Sequence, residues 1–201
     1  MVTKHPLFDN WYSILNGGGA SVRVVWTGDA FRASHPKWMS RPYRLTGVGA
    51  VLSGGRWNVR NLIPALNFST SPETLAAEAD ARAKRTGMAP ILLHPQTRVA
   101  FHLNLQLMVN LTDTATLKIL KVKKSDLTGC DWDAEQMAGR EALTQAVARA
   151  AFETRAEGLI VPSARFPGGV NILVFPAHLI AGSLITAHSE VGIPFVHGLE
   201  T

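Results

Sequence analysis

Cysteine is almost absent from this sequence. Cys130 is the single cysteine among 201 residues, which excludes both an internal disulfide and a four-cysteine zinc site. Apolar residues make up 46% of the chain, but none of their runs approaches the roughly 20 residues that span a bilayer. Residues 1–10 also lack the apolar stretch of a signal peptide. We therefore expect a protein of the reducing cytoplasm that does not interact with membranes.

Several common catalytic signatures are missing as well. The seven histidines include no HExxH pair, and no serine lies in a GxSxG elbow, so neither a zinc protease nor an α/β-hydrolase is indicated. The stretch Gly47–Ala50 lacks the third glycine of a dinucleotide-binding fingerprint. Asp131 and Asp133 follow Cys130 closely and would disfavour its thiolate, so a catalytic cysteine is not expected.

The length of the chain suits one domain with its own core, and we treat residues 1–201 as a single domain. Its net charge of +5 fits either a solvated basic surface or an acidic partner, such as nucleic acid, a phosphate-bearing substrate or an acidic protein. The densest basic run, residues 118–124, has no interleaved aromatic residue and no zinc-finger or RNA-binding signature. Direct binding of nucleic acid is therefore the weaker alternative.

The sequence pattern predicts more strands than helices. One helix is expected to begin after a cap at Ser71, with Pro72 in its first position, and to end at Gly87. A second long helix is predicted over residues 135–157. The predicted strands, in chain order, are 22–26, 65–69, 91–93, 99–103, 105–111, 159–161 and 170–175. Because strands and helices do not alternate strictly, the fold class is α+β.

Three stretches carry polar residues that scaffolding alone does not explain: Phe31–Ala33; Gly54–Asn58 with Asn67–Ser69 and Glu78; and Val161–Arg165 with Gly168–Leu173. Each has a plain structural alternative. Arg32 suits a surface position, Glu78 can pair with Arg82 one turn later, and Ser163 suits a turn at a strand end. Arg56 differs because the two glycines before it allow a ligand to approach the backbone closely.

Together these stretches resemble the RES-domain family, which is named after an arginine, a glutamate and a serine. The resemblance covers residues 22–180, after an N-terminal arm of residues 1–21. The family pattern comprises a G-G-R-W-N turn, an aromatic strand ending in serine, a helix with an inward glutamate, an L-T-D segment, a W-D pair, a serine segment and N-x-L-x-x-P. These correspond in order to Gly54–Asn58, Phe68–Ser69, Glu78, Leu111–Asp113, Trp132–Asp133, Val161–Ala164 and Asn171–Pro176.

Two positions depart from the family pattern. Phe68 stands where members commonly have tyrosine, so a hydroxyl that could contact the substrate is missing. Ala33 follows Arg32 where some members carry an aromatic residue, and the stretch from Arg32 to Arg56 is long. The equivalence of Arg32 is therefore less secure than that of Arg56, and weaker or altered activity would follow from either departure.

The resemblance implies an ADP-ribosyltransferase-like fold, in which two small β-sheets form a cleft with flanking helices. It also implies a toxin-type bacterial enzyme that takes NAD as its substrate, without a metal, and cleaves the nicotinamide–ribose bond. Water as acceptor gives a glycohydrolase and inorganic phosphate gives a phosphorylase. A mono-ADP-ribosyltransferase that modifies a protein and a catalytically silent binding module remain the alternatives. The family further implies a partner, a helix-turn-helix antitoxin that blocks the cleft.

The catalytic residues that the resemblance implies are Glu78, Arg56 and Ser163. A carboxylate close to the sugar stabilises an oxocarbenium-like ribose, which is the role implied for Glu78. Arginine binds phosphate oxygens in a bidentate way, and Arg56 and Arg32 are expected to hold the pyrophosphate. Ser163 and Asn171 are expected to position the ribose or the nicotinamide amide. The residues implied to contact NAD are Arg32, Arg56, Trp57, Asn58, Phe68, Ser163 and Asn171.

Glu73 is the rival carboxylate on the same predicted helix. It lies in the first turn, where the positive end of the helix dipole explains an acidic residue. Glu78 lies five residues further along, beyond that effect and next to the apolar stripe of the helix. The sequence therefore favours Glu78 over Glu73.

Overall fold

The computed structural model describes residues 2–17, 22–34, 36, 43–86, 97–188 and 194–197. Seven α-helices lie within these residues: α1 (Phe8–Gly17), α2 (Val48–Ser53), α3 (Pro72–Thr86), α4 (Thr114–Leu120), α5 (Lys124–Gly129), α6 (Trp132–Met137) and α7 (Leu143–Glu153). The strands are β1 (Arg23–Ser34), β2 (Leu66–Ser69), β3 (Thr97–Asn110), β4 (Gly158–Pro162), β5 (Val170–Val174), β6 (Leu184–His188) and β7 (Pro194–His197). Short 3-10 turns cover Tyr43–Leu45 and Pro176–His178.

All of these strands belong to one sheet, in the order β1-β2-β5-β4-β3-β6-β7, with β1 also paired to β3. The β1–β3 pairing closes β1, β2, β5, β4 and β3 into a small barrel, from which β6 and β7 extend. The α+β class is confirmed, but the expectation of two separate small sheets is wrong. The reason is the length of β3, which spans 14 residues and pairs with β1 on one edge and with β4 and β6 on the other.

Side-chain alternation gives the barrel two differently covered faces. Phe68, Ile172 and Ile160 occupy paired positions on β2, β5 and β4 and belong to the interior core. The next row along the strands, Ser69 and Asn171 with Val161, takes the outer face. Most of that outer face is covered by the apolar side chains of α1 and α7. The polar pair Ser69–Asn171 lies at the end of the barrel where β2 and β4 finish and β5 begins.

Helix α3 starts as predicted and carries Glu78 toward that end of the barrel. The Ser71 hydroxyl accepts a hydrogen bond from Thr74 N at 3.2 Å, which caps the helix. Thr74 is buried, and a Cβ on Gly169 would meet its hydroxyl at 2.7 Å. The first turn of α3 is therefore packed closely against the β4–β5 connection. The predicted end of this helix, Gly87, lies outside the described residues.

The prediction of one long helix over residues 135–157 is wrong, because the chain leaves the helical conformation between α6 and α7 and again after α7. Helix α6 ends before Gly139, which has φ +72°, a conformation that favours glycine. Helix α7 begins only at Leu143, after Ala142, whose N–H donates to Gln145 Oε1 at 3.1 Å. Helix α7 ends at Glu153, and the chain then enters strand β4.

Glu157 lies just before β4 and is fully buried. Its Oε2 accepts hydrogen bonds from Gln106 N at 2.6 Å and Leu107 N at 3.0 Å. Its Oε1 accepts from Ile180 N at 2.8 Å and Ser183 Oγ at 2.5 Å. These four bonds satisfy a buried carboxylate and join β3 to the segment that leads into β6. Glu157 thus has a structural role in the barrel.

The N-terminal arm contributes to the core. Trp11 in α1 is almost fully buried and donates from Nε1 to Leu120 O at 2.9 Å. His5 N donates to Glu141 Oε2 at 3.0 Å, and Arg149 also bonds this carboxylate. Residues 2–17 are therefore integrated with α4 and α7. In the described part of the chain, every helix is too short or too polar to cross a membrane.

Candidate active site

Glu78 is the centre of a polar cluster that joins α3 to the ends of β4 and β5. Ser163 Oγ donates to Glu78 Oε1 at 2.7 Å, and Asn171 Nδ2 donates to the same oxygen at 3.0 Å. Glu78 is half-buried, whereas Ser163 is 7% exposed. Three residues that the sequence analysis singled out from separate stretches therefore meet at one carboxylate oxygen.

Ser163 is oriented by the backbone that follows it. Arg165 N and Phe166 N each donate to Ser163 Oγ at 3.1 Å. With both of these donors on its oxygen, the hydroxyl proton of Ser163 is directed to Glu78. Ser163 N also donates to Gly169 O at 2.8 Å, which closes the connection between β4 and β5. The turn that explains Ser163 structurally thus also aims its hydroxyl at the carboxylate.

Asn171 is held from its other side by Ser69. The two residues are directly opposite each other on antiparallel strands β2 and β5, and Ser69 Oγ donates to Asn171 Oδ1 at 2.8 Å. Ser69 is 3% exposed. The sequence analysis named Ser69 only as the end of an aromatic strand. Its pairing with Asn171 depends on strand register, which the sequence pattern does not specify.

Glu78 Oε2 accepts no hydrogen bond from any residue that the structure describes. The side chain of Arg82, which the sequence offers as an ion-pair partner for Glu78, lies outside the described part of the chain. Glu73, unlike the half-buried Glu78, is exposed, and it lies in the first turn of α3. Hydrogen bonds from its own backbone N–H and from the Ser71 hydroxyl lower the pKa of Glu73.

Arg56 lies near this cluster but is held by a loop. Its Nη1 donates to the carbonyls that end α5, at 3.1 Å to Leu127, 3.4 Å to Thr128 and 2.9 Å to Cys130. Burial lowers the pKa of Arg56 from its usual value, and repulsion from Arg165 acts in the same direction, while Cys130 and Glu78 oppose both. The guanidinium remains charged. Arg165 and Glu78 are therefore among the charged groups that act on Arg56.

The structure does not bring every predicted contact residue to the cluster. Trp57 is 5% exposed and belongs to the apolar cluster that includes the side chains of α1 and α7. Asn58 Nδ2 donates to Ala50 O at 2.8 Å. Phe68 is 1% exposed inside the barrel, with its ring edge-to-face on Phe101 at 5.1 Å. These side chains serve the fold in this geometry, and their contact with NAD stays a prediction.

Arg32 follows Phe31, the residue that pairs with Ser69 across β1 and β2. Alternation therefore directs the Arg32 side chain to the face of β1 opposite to that of Ser69. Its Nη1 donates to Arg44 O at 2.6 Å. Binding of one pyrophosphate by both Arg32 and Arg56 stays a prediction.

Two cavities of the described structure lie away from the cluster. A cavity of about 540 Å³ lies between the N-terminal arm and the 126–131 loop, with His5, Cys130 and Glu141 in its wall. A second cavity, of about 510 Å³, is lined by Tyr12, His178 and their neighbours. The Glu78 cluster borders neither of them. Among the described residues, no group of three or more His, Cys, Asp or Glu side chains is arranged to hold a metal ion.

Comparisons with known proteins bear on the family and the fold. A family model described as the RES domain matches residues 29–192. Proteins named NAD(+) phosphorylase MbcT from Mycobacterium bovis and Mycobacterium tuberculosis are 27% identical over 154 residues, which cover 69% of this chain and 73% of each relative. The crystal structure of the M. tuberculosis MbcT–MbcA toxin–antitoxin complex has a similar fold, with a TM-score of 0.64 and 20% identity over 96% of this chain and 91% of that chain.

Proposed function

The chain belongs to the RES-domain family, and we propose that it degrades NAD by cleaving the bond between nicotinamide and ribose. The observation that carries the proposal is the hydrogen bonding of the Glu78 carboxylate. One of its oxygens receives hydrogen bonds from Ser163 and Asn171, and the other receives none from the described residues. A carboxylate that is fixed through one oxygen and open at the other is suited to face a developing positive charge.

The chemistry of NAD needs such a group and little else. Nicotinamide leaves as a neutral ring when the C1′–N bond breaks, because the electron pair neutralises the pyridinium charge, so no general acid is required. The ribose then acquires oxocarbenium character, and the open oxygen of Glu78 stabilises it electrostatically. Ser163 and Asn171 are both bonded to Glu78, so their first task in this proposal is to hold the carboxylate.

The pyrophosphate of NAD needs cations, and among the described side chains Arg56 and Arg165 are our candidates. Arg165 is exposed, and its side chain makes no hydrogen bond or ion pair with any described residue. The two guanidinium groups repel each other, and an anion bound between them would relieve this repulsion. Arg32 is the third candidate, and its side chain projects from the face of β1 opposite to that of Ser69.

Inorganic phosphate is the acceptor that we favour over water. The support comes from the relatives, which are named NAD(+) phosphorylase. In the proposed reaction a phosphate oxygen forms a bond to C1′ as the bond to nicotinamide breaks, which gives ADP-ribose 1″-phosphate and nicotinamide. With water the products would be ADP-ribose, nicotinamide and a proton.

Fold details and partner belong to the same proposal. We take the barrel with its flanking helices as an ADP-ribosyltransferase-like body, and the end of the barrel around Glu78 as its substrate site. The similar structure is that of a toxin–antitoxin complex, so we propose a helix-turn-helix antitoxin as the partner of this chain. A net charge of +5 suits an acidic segment of such a partner as well as a dinucleotide.

One experiment tests the reaction and its acceptor together. Purified protein is incubated with NAD, with and without inorganic phosphate, and the products are identified by chromatography and mass. We expect nicotinamide in both reactions, more of it with phosphate, and ADP-ribose 1″-phosphate in the phosphate reaction alone. Transfer of ADP-ribose to added protein would instead support a mono-ADP-ribosyltransferase. Failure of folded, partner-free protein to release nicotinamide would leave a silent binding module.

A further inference from the structure

A hydrogen-bond chain leads from the end of β2 to the carboxylate of α3. It starts at Ser69 Oγ, which donates to Asn171 Oδ1 at 2.8 Å, and continues from Asn171 Nδ2 to Glu78 Oε1 at 3.0 Å. Ser69 is almost completely buried, so its hydroxyl acts inside the protein. Nothing in the proposed reaction requires Ser69 to touch NAD.

The chemistry of the three groups fixes the direction of this chain. A carboxylate can only accept hydrogen bonds, so the amide group of Asn171 that faces Glu78 must be its NH₂. The amide oxygen of Asn171 then faces Ser69, whose hydroxyl donates to it. If Asn171 rotated by half a turn, its oxygen would face the Glu78 carboxylate and repel it. The carboxylate selects this orientation, and the Ser69 hydroxyl holds it by donating to the amide oxygen on the other side.

The same chain decides which oxygen of Glu78 is available. Oε1 takes both donors, from Ser163 and from Asn171, on the side that faces the barrel. Two donors on one oxygen fix the plane of the carboxylate as well as its position. Oε2 thereby receives no hydrogen bond from the described residues.

We propose that Ser69 is a positioning residue of the active site, which orients the Asn171 amide so that Glu78 presents Oε2 to the reacting sugar. The proposal rests on the proposed NAD cleavage at Glu78. It assigns to Ser69 an effect on the chemical step and none on substrate contact. Loss of its hydroxyl therefore lowers kcat and leaves KM nearly unchanged, which is the signature of a group needed in the transition state.

The expected size of the effect follows from geometry. Misplacement of a reacting group by about 1 Å costs up to roughly 100-fold in rate. Ser69→Ala only permits Asn171 to rotate and does not remove it, so we expect kcat to fall on the order of tenfold. Ser69→Thr keeps a hydroxyl on the same carbon and is expected to restore most of the loss.

The decisive test is a double-mutant cycle of Ser69→Ala and Asn171→Ala, read as nicotinamide release. If Ser69 acts through Asn171, the double variant has the same kcat as Asn171→Ala alone. If the two losses multiply, or if KM rises while kcat is kept, the proposal is overturned. Thr70→Val is the matched control: the Thr70 hydroxyl donates to Val170 O at 3.1 Å, joining the same two segments without touching Asn171. We expect parental kcat for this control.

A measurement without NAD separates this inference from the proposed function. The side-chain NH₂ of Asn171 gives a pair of ¹⁵N-correlated proton signals, assigned by their loss in Asn171→Ala. We expect Ser69→Ala to shift and broaden this pair, and Thr70→Val to leave it unchanged. An unchanged Asn171 pair in Ser69→Ala overturns the positioning role of Ser69. If Ser69→Ala shows these shifts while the parent protein releases no nicotinamide, only the proposed function is contradicted.

Discussion

Ser163 and Glu78 are 85 residues apart in the chain and are joined by a 2.7 Å hydrogen bond between Oγ and Oε1. The bond links the start of the β4–β5 connection to the middle of α3. It is reinforced by Asn171, which reaches the same oxygen from β5. Charge-assisted hydrogen bonds of this kind are shorter and stronger than neutral ones. The carboxylate of Glu78 is therefore held by groups at the end of the sheet as well as by its own helix.

Arg56→Lys is expected to weaken both NAD binding and the fold. Lysine keeps the charge but loses the planar fork, and its ammonium cannot span the three carbonyls of Leu127, Thr128 and Cys130. The sequence alone gives no reason for a stability cost, whereas the structure implies about 1 to 2 kcal/mol. Chemical denaturation and NAD titration measure the two effects separately.

Arg60→Lys serves as the matched control for Arg56. Arg60 is exposed, and its Nε donates to a single carbonyl, Leu52 O, at 3.0 Å. We expect parental NAD binding and a change in stability within about 0.5 kcal/mol, as for most surface substitutions. If Arg56→Lys behaves like Arg60→Lys in both assays, Arg56 neither binds NAD nor stabilises the loop.

Phe68→Tyr, which restores the residue common in the family, is expected to destabilise this protein and not to activate it. The Phe68 ring is 1% exposed inside the barrel and packs against Phe101. A hydroxyl without a partner in that interior costs about 1 to 3 kcal/mol. Thermal melting checks the loss, with exposed Phe166→Tyr as a control that should melt like the parent. Faster NAD cleavage by Phe68→Tyr at parental stability would mean that position 68 faces the substrate.

The sequence predicted the local parts of this fold better than the distant ones. The start of α3 follows from Ser71 and Pro72 because capping depends on a few neighbouring residues. The separate strands predicted over 99–103 and 105–111 are one strand, β3, because pairing with β1 keeps the chain extended through Asn104. Pairing partners lie far along the chain, so the sequence pattern could not reveal that the barrel closes.

The same contrast applies to the site. Motif order brought Glu78, Ser163 and Asn171 into one hypothesis, and the structure brings them into contact. Ser69 and Arg165 were missed as participants, since their roles depend on strand register and on the shape of a turn. The three carbonyls that hold Arg56 are backbone groups, which no pattern of side chains can indicate.

Stability is expected to fall as the pH drops below neutrality, partly through His178. Burial lowers the pKa of His178, opposed by its hydrogen bond to Ala156 O at 3.0 Å, and Arg155 lowers it further. The folded protein therefore favours the neutral ring, while the unfolded chain takes up a proton at about pH 6.5. The contribution of His178 is complete above that pH and is lost as the pH falls below it toward the folded pKa.

His178→Asn tests this assignment, because an asparagine amide can keep the bond to Ala156 O without titrating. Denaturation at pH 7.5 and 5.5 should show a smaller loss of stability in His178→Asn than in the parent. His5 has its pKa lowered by burial as well, so His5→Asn should remove a separate part of the pH dependence. A His178→Asn protein with the full pH dependence of the parent would show that His178 does not contribute.

Glu78→Gln is expected to abolish most NAD cleavage and to leave the fold intact. Glutamine has the same shape as glutamate, and its amide oxygen can take the hydrogen bonds of Ser163 and Asn171 in place of Glu78 Oε1. Its NH₂ then occupies the position of Oε2. A neutral donor stands where the sugar needs an anion, so kcat should fall by about 100-fold or more.

Glu73→Gln is the matched control on the same helix. Glu73 is exposed and interacts with the first turn of α3, where its carboxylate accepts from its own N–H and from Ser71. Its loss should weaken the helix end slightly, through the dipole and the cap, and leave turnover as in the parent. Nicotinamide release and melting temperature are measured for both variants. Parental turnover in Glu78→Gln, or an equal loss in Glu73→Gln, would contradict Glu78 as the carboxylate that faces the ribose.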